Sequence, residues 1–594
     1  MSNVTSIILT RVLKSSKYRP VLNLFRGLWR MKQLLIIIMI AFAGLIAWWQ
    51  SDVQTQPRAG DLFYYYDLER RIDSLDTLEK ALDSKYALLH IKESRLGLNK
   101  AKLFENARKL EAKFPNVDST FFQAVSNLWY LDRLRLLMAS FRDTHLKVQP
   151  MMKLPVIDLG IRIKSVADGG YIVSEIDEVL RAQLDEVGLD LSVGSEVFMI
   201  GDTPIHEEAE RLAQYISSSS PEYALQMGLA ASTSRSFVYP KSPFSPLTYR
   251  TRSGRIQAVE LEWTYSYTYK RTDAIFYLDY LGFDFLWRDF KPDPAIDKIT
   301  SHLSGMKEWY GHKDPSSLVQ RSGIVAIDGK ESGLLQIFSF HEESLLSAET
   351  GESLKWDLAI ARFLKELEAK KLPLILDLRD HQGGIVEHPV RLMSLIARNN
   401  ESYPTYVEGF RLTPSIHQMW QRVGRRDLFD HEDKIIASKI RTALRRGQEY
   451  SGVWNKGDAI GPSDDFGGFD QEVVALISEK CISACDILAI LLESSGRATL
   501  IGSPSNGTGA GYFDWDPYDS STYTDLYDIF KIDIPNLLFG HSIEGGPDYL
   551  FGAKSTFSLN RENRPVNPHI YYRTSRNDID NGDISWLSLA LGNM

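Results

Sequence analysis

Hydrophobic and polar positions along the chain change rhythm several times. Residues 33–51 carry no formal charge, include the run Leu34-Leu35-Ile36-Ile37-Ile38-Met39-Ile40, and end on Trp48 and Trp49. That length and aromatic edge predict one membrane-crossing helix. Residues 52–75 read as a linker passing into a helix, and Leu78 to Ala112 has helical charge and apolar spacing. A second helical stripe runs through Phe121, Phe122, Val125, Leu128, Trp129, Leu131, Leu134, Leu136 and Leu137. It ends near Phe141, which leaves His145 on a turn into Leu146-Lys147-Val148. From about 155 the pattern shortens to strands, Ile161 to Val166, Gly170 to Ile176, and Val193 to Ile205. Residues 236–310 are rich in aromatic side chains whose partial alternation suggests strands. From Gly323 onward strands and helices alternate: Ile324–Ile327, Leu335–Phe338, a helix Trp356–Ala369, the strand Leu372–Leu378, and a helix from about Pro389 to Ala397. Later come the apolar strand Val473–Ile477 and the helical run Ile487–Leu492.

Composition adds scale. With 594 residues, 44% hydrophobic and 24% charged, the chain can form two to four globular domains and is neither disordered nor fibrous. Charge adds orientation. Before the apolar span stand Arg11, Lys14, Lys17, Arg19, Arg26, Arg30 and Lys32 with no acidic residue among them, so residues 1–32 are expected to stay cytoplasmic and the remainder to face outward. The span lacks a small-residue cleavage site after Trp49, which favours an uncleaved anchor. The remainder holds 61 basic and 77 acidic residues, a net −16, which argues against nucleic acid as a partner.

Candidate chemistry centres on Ile482-Ser483-Ala484-Cys485-Asp486, between the Val473–Ile477 strand and the following helix. A hydroxyl there is either a helix cap or a nucleophile whose oxyanion the free helix amides can hold. Cys481 and Cys485, the two cysteines of the chain, bracket it and are expected as small buried thiols. The paired glycines Gly383 and Gly384, directly after the strand Leu372–Leu378, allow close backbone approach to a ligand or simply make a tight turn.

Several segments resemble known families. Val193 to Ile205 resembles the middle hairpin of the PDZ family, with Ser195 where Asp is usual and Gly201-Asp202 in place of the usual Asn/Asp-Gly. This implies capture of an extended peptide by strand addition. Leu376-Asp377-Leu378-Arg379-Asp380-His381-Gln382-Gly383-Gly384, Ser483-Ala484-Cys485-Asp486 and Gly496-Arg497-Ala498-Thr499-Leu500-Ile501-Gly502 resemble, in order and spacing, motifs of the C-terminal processing, or tail-specific, serine peptidases. Where bacterial members carry a lysine in a Gly-Lys-Gly turn, this chain has Gly507-Thr508-Gly509, and threonine is no amine base. The chain is in this respect similar to the branch that includes the tricorn core and the chlamydial protease-like activity factor. Ser140-Phe141-Arg142-Asp143-Thr144-His145 and Glu562-Asn563-Arg564-Pro565-Val566-Asn567-Pro568-His569 resemble that branch's histidine and glutamate segments.

The resemblance implies a multidomain α/β protein: one N-terminal transmembrane helix, a helical region, a PDZ-like domain and a crotonase/Clp-protease-like ββα core. The implied division is 1–32 basic, 33–51 membrane span, 52–150 helical with His145, 151–235 PDZ-like, 236–310 connecting, and 311–594 catalytic. It further implies a serine endopeptidase of protein substrates with Ser483 as nucleophile, His145 as base and Glu562 as orienter. Ala484 with Gly383 or Gly384 would form the oxyanion hole, and no metal or organic cofactor would be required. An anchored catalytic domain facing outward fits an inner membrane and a periplasm. A catalytically silent peptide-binding protein on the same fold is the alternative, and a thioester-directed crotonase-like enzyme ranks last because no segment for coenzyme A stands out.

Overall fold

The computed structural model describes residues 67–114, 116, 120–150, 154–266, 284–285, 303–423, 431–457, 459–513, 523–526, 530–544 and 549–594. The expected basic segment and membrane span, residues 1–51, lie outside them. Among the described residues no helix is long and apolar enough to cross a membrane. The chain divides into Met1–Phe63 and Tyr64–Met594, and every described residue belongs to the second unit.

A nine-stranded sheet organises the part from Lys307 to Tyr571. Its strands are β1 Lys307–Gly311, β2 Leu318–Ile327, β3 Lys330–Ile337, β4 Ser344–Ser347, β5 Ser353–Lys355, β6 Leu374–Asp377, β7 Val473–Ile477, β8 Thr499–Gly502 and β9 Ile570–Tyr571. They lie in the order β5-β4-β1-β2-β3-β6-β7-β8-β9. The half from β5 to β3 is antiparallel, and β3, β6, β7, β8 and β9 run parallel. Between β2 and β3 the chain turns on Asp328 and Gly329, both at positive φ (54° and 77°), the conformation that an Asp-Gly hairpin turn requires.

All residues of β6 and β7 are buried, as expected where helices cover both faces. One face packs on the helices Trp356–Lys370, His388–Ile396 and Ala484–Ser495, and the other on the C-terminal helix Ile584–Leu591 through Trp586, Leu587, Ala590 and Leu591. The helix Ala484–Ser495 is buried continuously from Ala484 to Leu492; its all-round apolar sequence is that of a helix inside a core.

The N-terminal helices are Leu68–Lys85, Leu89–Leu96, Lys100–Glu111 and Thr120–Ala139. The single helix expected over Leu78 to Ala112 is thus divided. Gly97 ends one turn in the left-handed conformation, and the Asn99 side chain accepts from the Lys102 amide to start the next helix, local signals that override the apolar spacing. Leu75, Leu78, Leu82, Tyr86, Phe104, Tyr130 and Leu134 share one core with Tyr450, Ala510, Phe530, Ile532 and Leu538. The helical region therefore shares its core with residues 450–538 rather than standing apart from them.

The PDZ-like segment forms a further sheet, with Ile161–Ser165, Tyr171–Ile176, Glu196–Ile200, Phe244–Arg250 and Ile256–Glu262 in order and Thr203–Pro204 pairing on Glu196–Ile200. The hairpin read from Val193 to Ile205 is present, and at Ile205 the chain enters the helix Ile205–Ala213. The last two strands of this sheet come from the aromatic-rich stretch assigned in sequence to a connection. Their alternating burial (Phe244–Arg250: exposed, buried, exposed, buried) is that of an antiparallel sheet with one face on a core.

Candidate active site

The site gathers on the rim where β6, β7 and β8 end, the usual place for ligands in an open parallel sheet. After β7 the chain crosses Ser478 to Ile482 and enters the helix Ala484–Ser495 at Ser483, whose φ of 61° and ψ of −117° lie outside the regions a non-glycine residue ordinarily occupies. Such strain persists only where surroundings enforce it, and it tends to mark functional residues. The Ser483 side chain makes no cap hydrogen bond. Its Oγ instead lies 3.0 Å from His145 Nε2, across 338 residues of sequence. Of the two readings open in the sequence, helix cap and nucleophile, the cap is not made.

Cys481 and Cys485 are not free thiols. They form a disulfide with Cα atoms 5.0 Å apart, within the range a disulfide spans. Cys481 lies on the loop before the helix and Cys485 in its first turn, so the covalent link closes the turn that carries Ser483.

His145 sits on the turn after the helix Thr120–Ala139 and is 7% exposed. Its amide donates to Asp143 Oδ1 at 2.8 Å, and Asp143 Oδ2 accepts from the Tyr86 hydroxyl at 2.8 Å. Tyr512 donates its hydroxyl to the His145 carbonyl and meets the imidazole edge-on. The backbone and ring plane are therefore held from three sides. Burial pushes the imidazole down from the usual histidine range to about 3; nearby Lys147 adds to this and Glu562 opposes it. The ring is neutral at physiological pH and its Nε2 can accept a proton.

Glu562 is fully buried. Its Oε1 accepts from Lys92 Nζ at 2.5 Å and from Ser219 Oγ at 2.7 Å, and its Oε2 accepts from the Gly509 amide at 2.7 Å. The carboxylate–imidazole hydrogen bond expected of an orienter is not made, and His145 Nδ1 has no hydrogen-bond partner among the described residues. Glu562 acts on His145 here as a nearby charge. Its own carboxyl is pushed up by burial, with Lys92 opposing and Asp143 reinforcing that shift.

The Gly507-Thr508-Gly509 turn joins these groups. A Cβ on Gly509 would stand 2.1 Å from the Glu562 nitrogen, so only glycine lets the two segments approach. Thr508 Oγ1 accepts from the Ser483 amide at 3.4 Å, and Asp486 receives the Gly507 and Thr508 amides at 3.0 and 3.1 Å and the Ser505 hydroxyl at 2.6 Å. Burial lifts the Asp486 carboxyl to about 6.

Of the oxyanion candidates, Gly383 is occupied: its amide donates to His381 Nδ1 at 2.9 Å. Its Cα is nonetheless against the nucleophile, since a Cβ there would lie 2.8 Å from Ser483 Cβ. The Ala484 amide, at the first position of its helix, has no intrahelical acceptor, and the Gly384 amide has no partner among the described residues. Neither amide is claimed by another group among the described residues. Sequence reading missed Lys92, Ser219, Tyr512 and His381. Of these, only His381 lay inside a recognised motif, and the others gave no local signal.

A serine hydroxyl against a neutral histidine, on a strained strand-to-helix turn with a free helix amide beside it, is the arrangement of serine-type hydrolases. Comparison with known proteins carries this further. Residues 331–516 match the family model described as Peptidase family S41, and residues 156–270 match that of the PDZ domain. Among solved structures, mature CPAF is similar with a TM-score of 0.62 at 17% identity, over 88% of this chain and 95% of that one. Mature CPAF complexed with lactacystin gives a TM-score of 0.62 at 17% identity, over 89% and 99%. At that identity these likenesses show a shared fold. No curated protein matches the chain. The chain carries a Peptidase family S41 domain and a PDZ domain, the family resembled by its Leu376 to Gly384 and Ser483 to Asp486 motifs, and it is a serine-type peptidase.

Proposed function

We propose that the protein is a membrane-anchored serine endopeptidase that cleaves protein substrates through an acyl-enzyme on Ser483. The observation that carries this reading is the 3.0 Å contact between Ser483 Oγ and His145 Nε2. Ser483 Oγ attacks the scissile carbonyl carbon while its proton passes to Nε2. The tetrahedral oxyanion is held by the amides of Ala484 and Gly384, each such donor typically worth roughly 3 to 4 kcal/mol. On collapse the carbon–nitrogen bond breaks and Nε2 returns the proton to the leaving amine. Water then attacks the ester by the same route, releasing the carboxylate and Ser483. The negative Glu562 stabilises the transient imidazolium. This is a Ser-His-Glu set in which the glutamate works through charge rather than through a bond to Nδ1.

The PDZ domain supplies a place for an extended peptide beside the core. The uncharged span 33–51, preceded by basic residues, supports an inner-membrane anchor with the catalytic part outside the cytoplasm. The Cys481–Cys485 disulfide supports the same side, since such bonds persist in oxidising compartments.

The full chain and its Ser483→Ala variant should be compared on an unfolded protein substrate and for labelling by a fluorophosphonate. Turnover and labelling that both vanish in Ser483→Ala support the mechanism. Peptide binding by the wild type without turnover or labelling would leave the silent peptide-binding alternative instead.

A further inference from the structure

Lys92, on the helix Leu89–Leu96, has no exposed surface. Its Nζ donates to Glu562 Oε1 at 2.5 Å, to Asn563 Oδ1 at 2.9 Å and to the Arg142 carbonyl at 2.5 Å. These satisfy all three donors of the ammonium. One side chain thus ties the segment that carries Glu562 to the turn that carries His145, and it lies in a helix outside both matched domains.

The electrostatics give that link a purpose. Asp143 and Glu562 are both fully buried, and Lys92 is the ammonium bonded to the glutamate. Arg95 on the same helix donates to the Glu562 carbonyl rather than to its carboxylate. Tyr86, Asp143 and His145 lie within electrostatic reach of the carboxylate, and Arg561 and Arg564 flank it in sequence, both acting on Arg95. A buried carboxylate that loses its bonded cation is strongly disfavoured in the charged form.

We propose that Lys92 is a positioning residue of the peptidase site, holding Glu562 ionised and in place so that the imidazolium formed at His145 meets a negative charge. The proposal rests on the acyl-enzyme reading above. A buried imidazole beside Lys147 is a weak base, and proton transfer to it is effective only if the protonated ring is stabilised where it forms. With Lys92 removed, burial and Asp143 act on Glu562 against the Gly509 amide but no bonded cation, the carboxyl takes up a proton, and the stabilising charge disappears.

The test is steady-state kinetics of the full chain on one peptide substrate across pH, for wild type, Lys92→Met, Lys92→Arg, Glu562→Gln and the double variant Lys92→Met/Glu562→Gln. Lys92→Met is expected to lower kcat by roughly 10- to 100-fold with KM little changed, and kcat is expected to recover as pH rises and Glu562 ionises. Lys92→Arg keeps the charge and retains most of the activity. The double variant matches Glu562→Gln alone, because the lysine acts only through the glutamate. Wild-type kcat and pH profile in Lys92→Met, or losses that multiply in the double variant, overturn the proposal. Should Lys92→Met fail to fold, the double variant, which leaves no unpaired charge, decides between the same two outcomes. Ser483→Ala run in parallel separates the levels: wild-type turnover there defeats the acyl-enzyme reading, whereas an inert Ser483→Ala beside an unaffected Lys92→Met defeats only the role of Lys92.

Discussion

Gly509→Ala tests whether the site depends on the close approach of two backbone segments. Gly509 has no positive φ in the structure, so the substitution introduces no backbone strain. Its whole effect comes from the added Cβ, which would lie 2.1 Å from the Glu562 nitrogen, 2.7 Å from Glu562 Cα and 2.8 Å from Asn560 Oδ1. Two of these neighbours are backbone atoms that no rotamer change can move aside. Ordinary contact begins at 3.4 Å, so the Glu562 segment must withdraw by about 1.3 Å. Overpacking of that kind costs roughly 1 to 3 kcal/mol. The same movement loosens the 2.7 Å bond from the Gly509 amide to Glu562 Oε2 and carries the carboxylate away from His145. A displacement of about 1 Å in a catalytic arrangement can lower turnover on the order of 100-fold. The assay is kcat on a peptide substrate beside thermal melting, with Gly461→Ala as control. Nothing lies within 4 Å of a Cβ at Gly461, so that variant should be neutral or slightly stabilised. Wild-type kcat and melting temperature in Gly509→Ala would show that Glu562 is not held where the geometry places it.

Stability should fall as pH drops from about 6.5 to 4. Burial lowers His145 and His381 to about 3 and His388 to about 4, so over that window the unfolded chain binds more protons than the folded one. Each imidazole contributes a slope of up to about 1.4 kcal/mol per pH unit, with its stabilisation fully present above the unfolded value and lost on acidification. Asp486, raised to about 6, and Glu562, Asp132 and Asp533, also pushed up by burial, work oppositely, but the lowered imidazoles, His341 and His541 included, outnumber them. A urea-unfolding midpoint that is flat or rising from pH 6.5 to 4 would contradict this. The chain purified from an oxidising compartment should show no free thiol when denatured without reductant. Cys481→Ala/Cys485→Ala should cost about 2 kcal/mol for so short a loop and slow fluorophosphonate labelling of Ser483; two titratable thiols in the purified chain would refute the link.

Much of the fold was legible locally. The helix Trp356–Lys370 and the strand Leu374–Asp377 follow from apolar period, because that signal acts over a few residues. The division of the first long helix was less visible, because Gly97 and the Asn99 cap compete with an uninterrupted apolar spacing. The later PDZ strands were read as strands but assigned to a connection for another reason. Their alternation was diluted among aromatic residues, and their partner Glu196–Ile200 lies about fifty residues earlier.

The sequence by itself determined the class of chemistry: motifs around Gly383, Ser483 and Gly507 indicated a serine peptidase, and threonine at 508 removed the lysine base. Motif order also nominated His145 and Glu562. Only the tertiary structure decided how they meet. Ser483 and His145 touch, Glu562 is turned to Lys92, Ser219 and Gly509 instead of to Nδ1, the Gly383 amide is taken by His381, and the two cysteines are joined. These outcomes depend on burial and on contacts between segments up to 470 residues apart. No local pattern encodes such contacts, because hydrogen-bond partners in a buried cluster are selected by which donors and acceptors the packed core brings within about 3 Å.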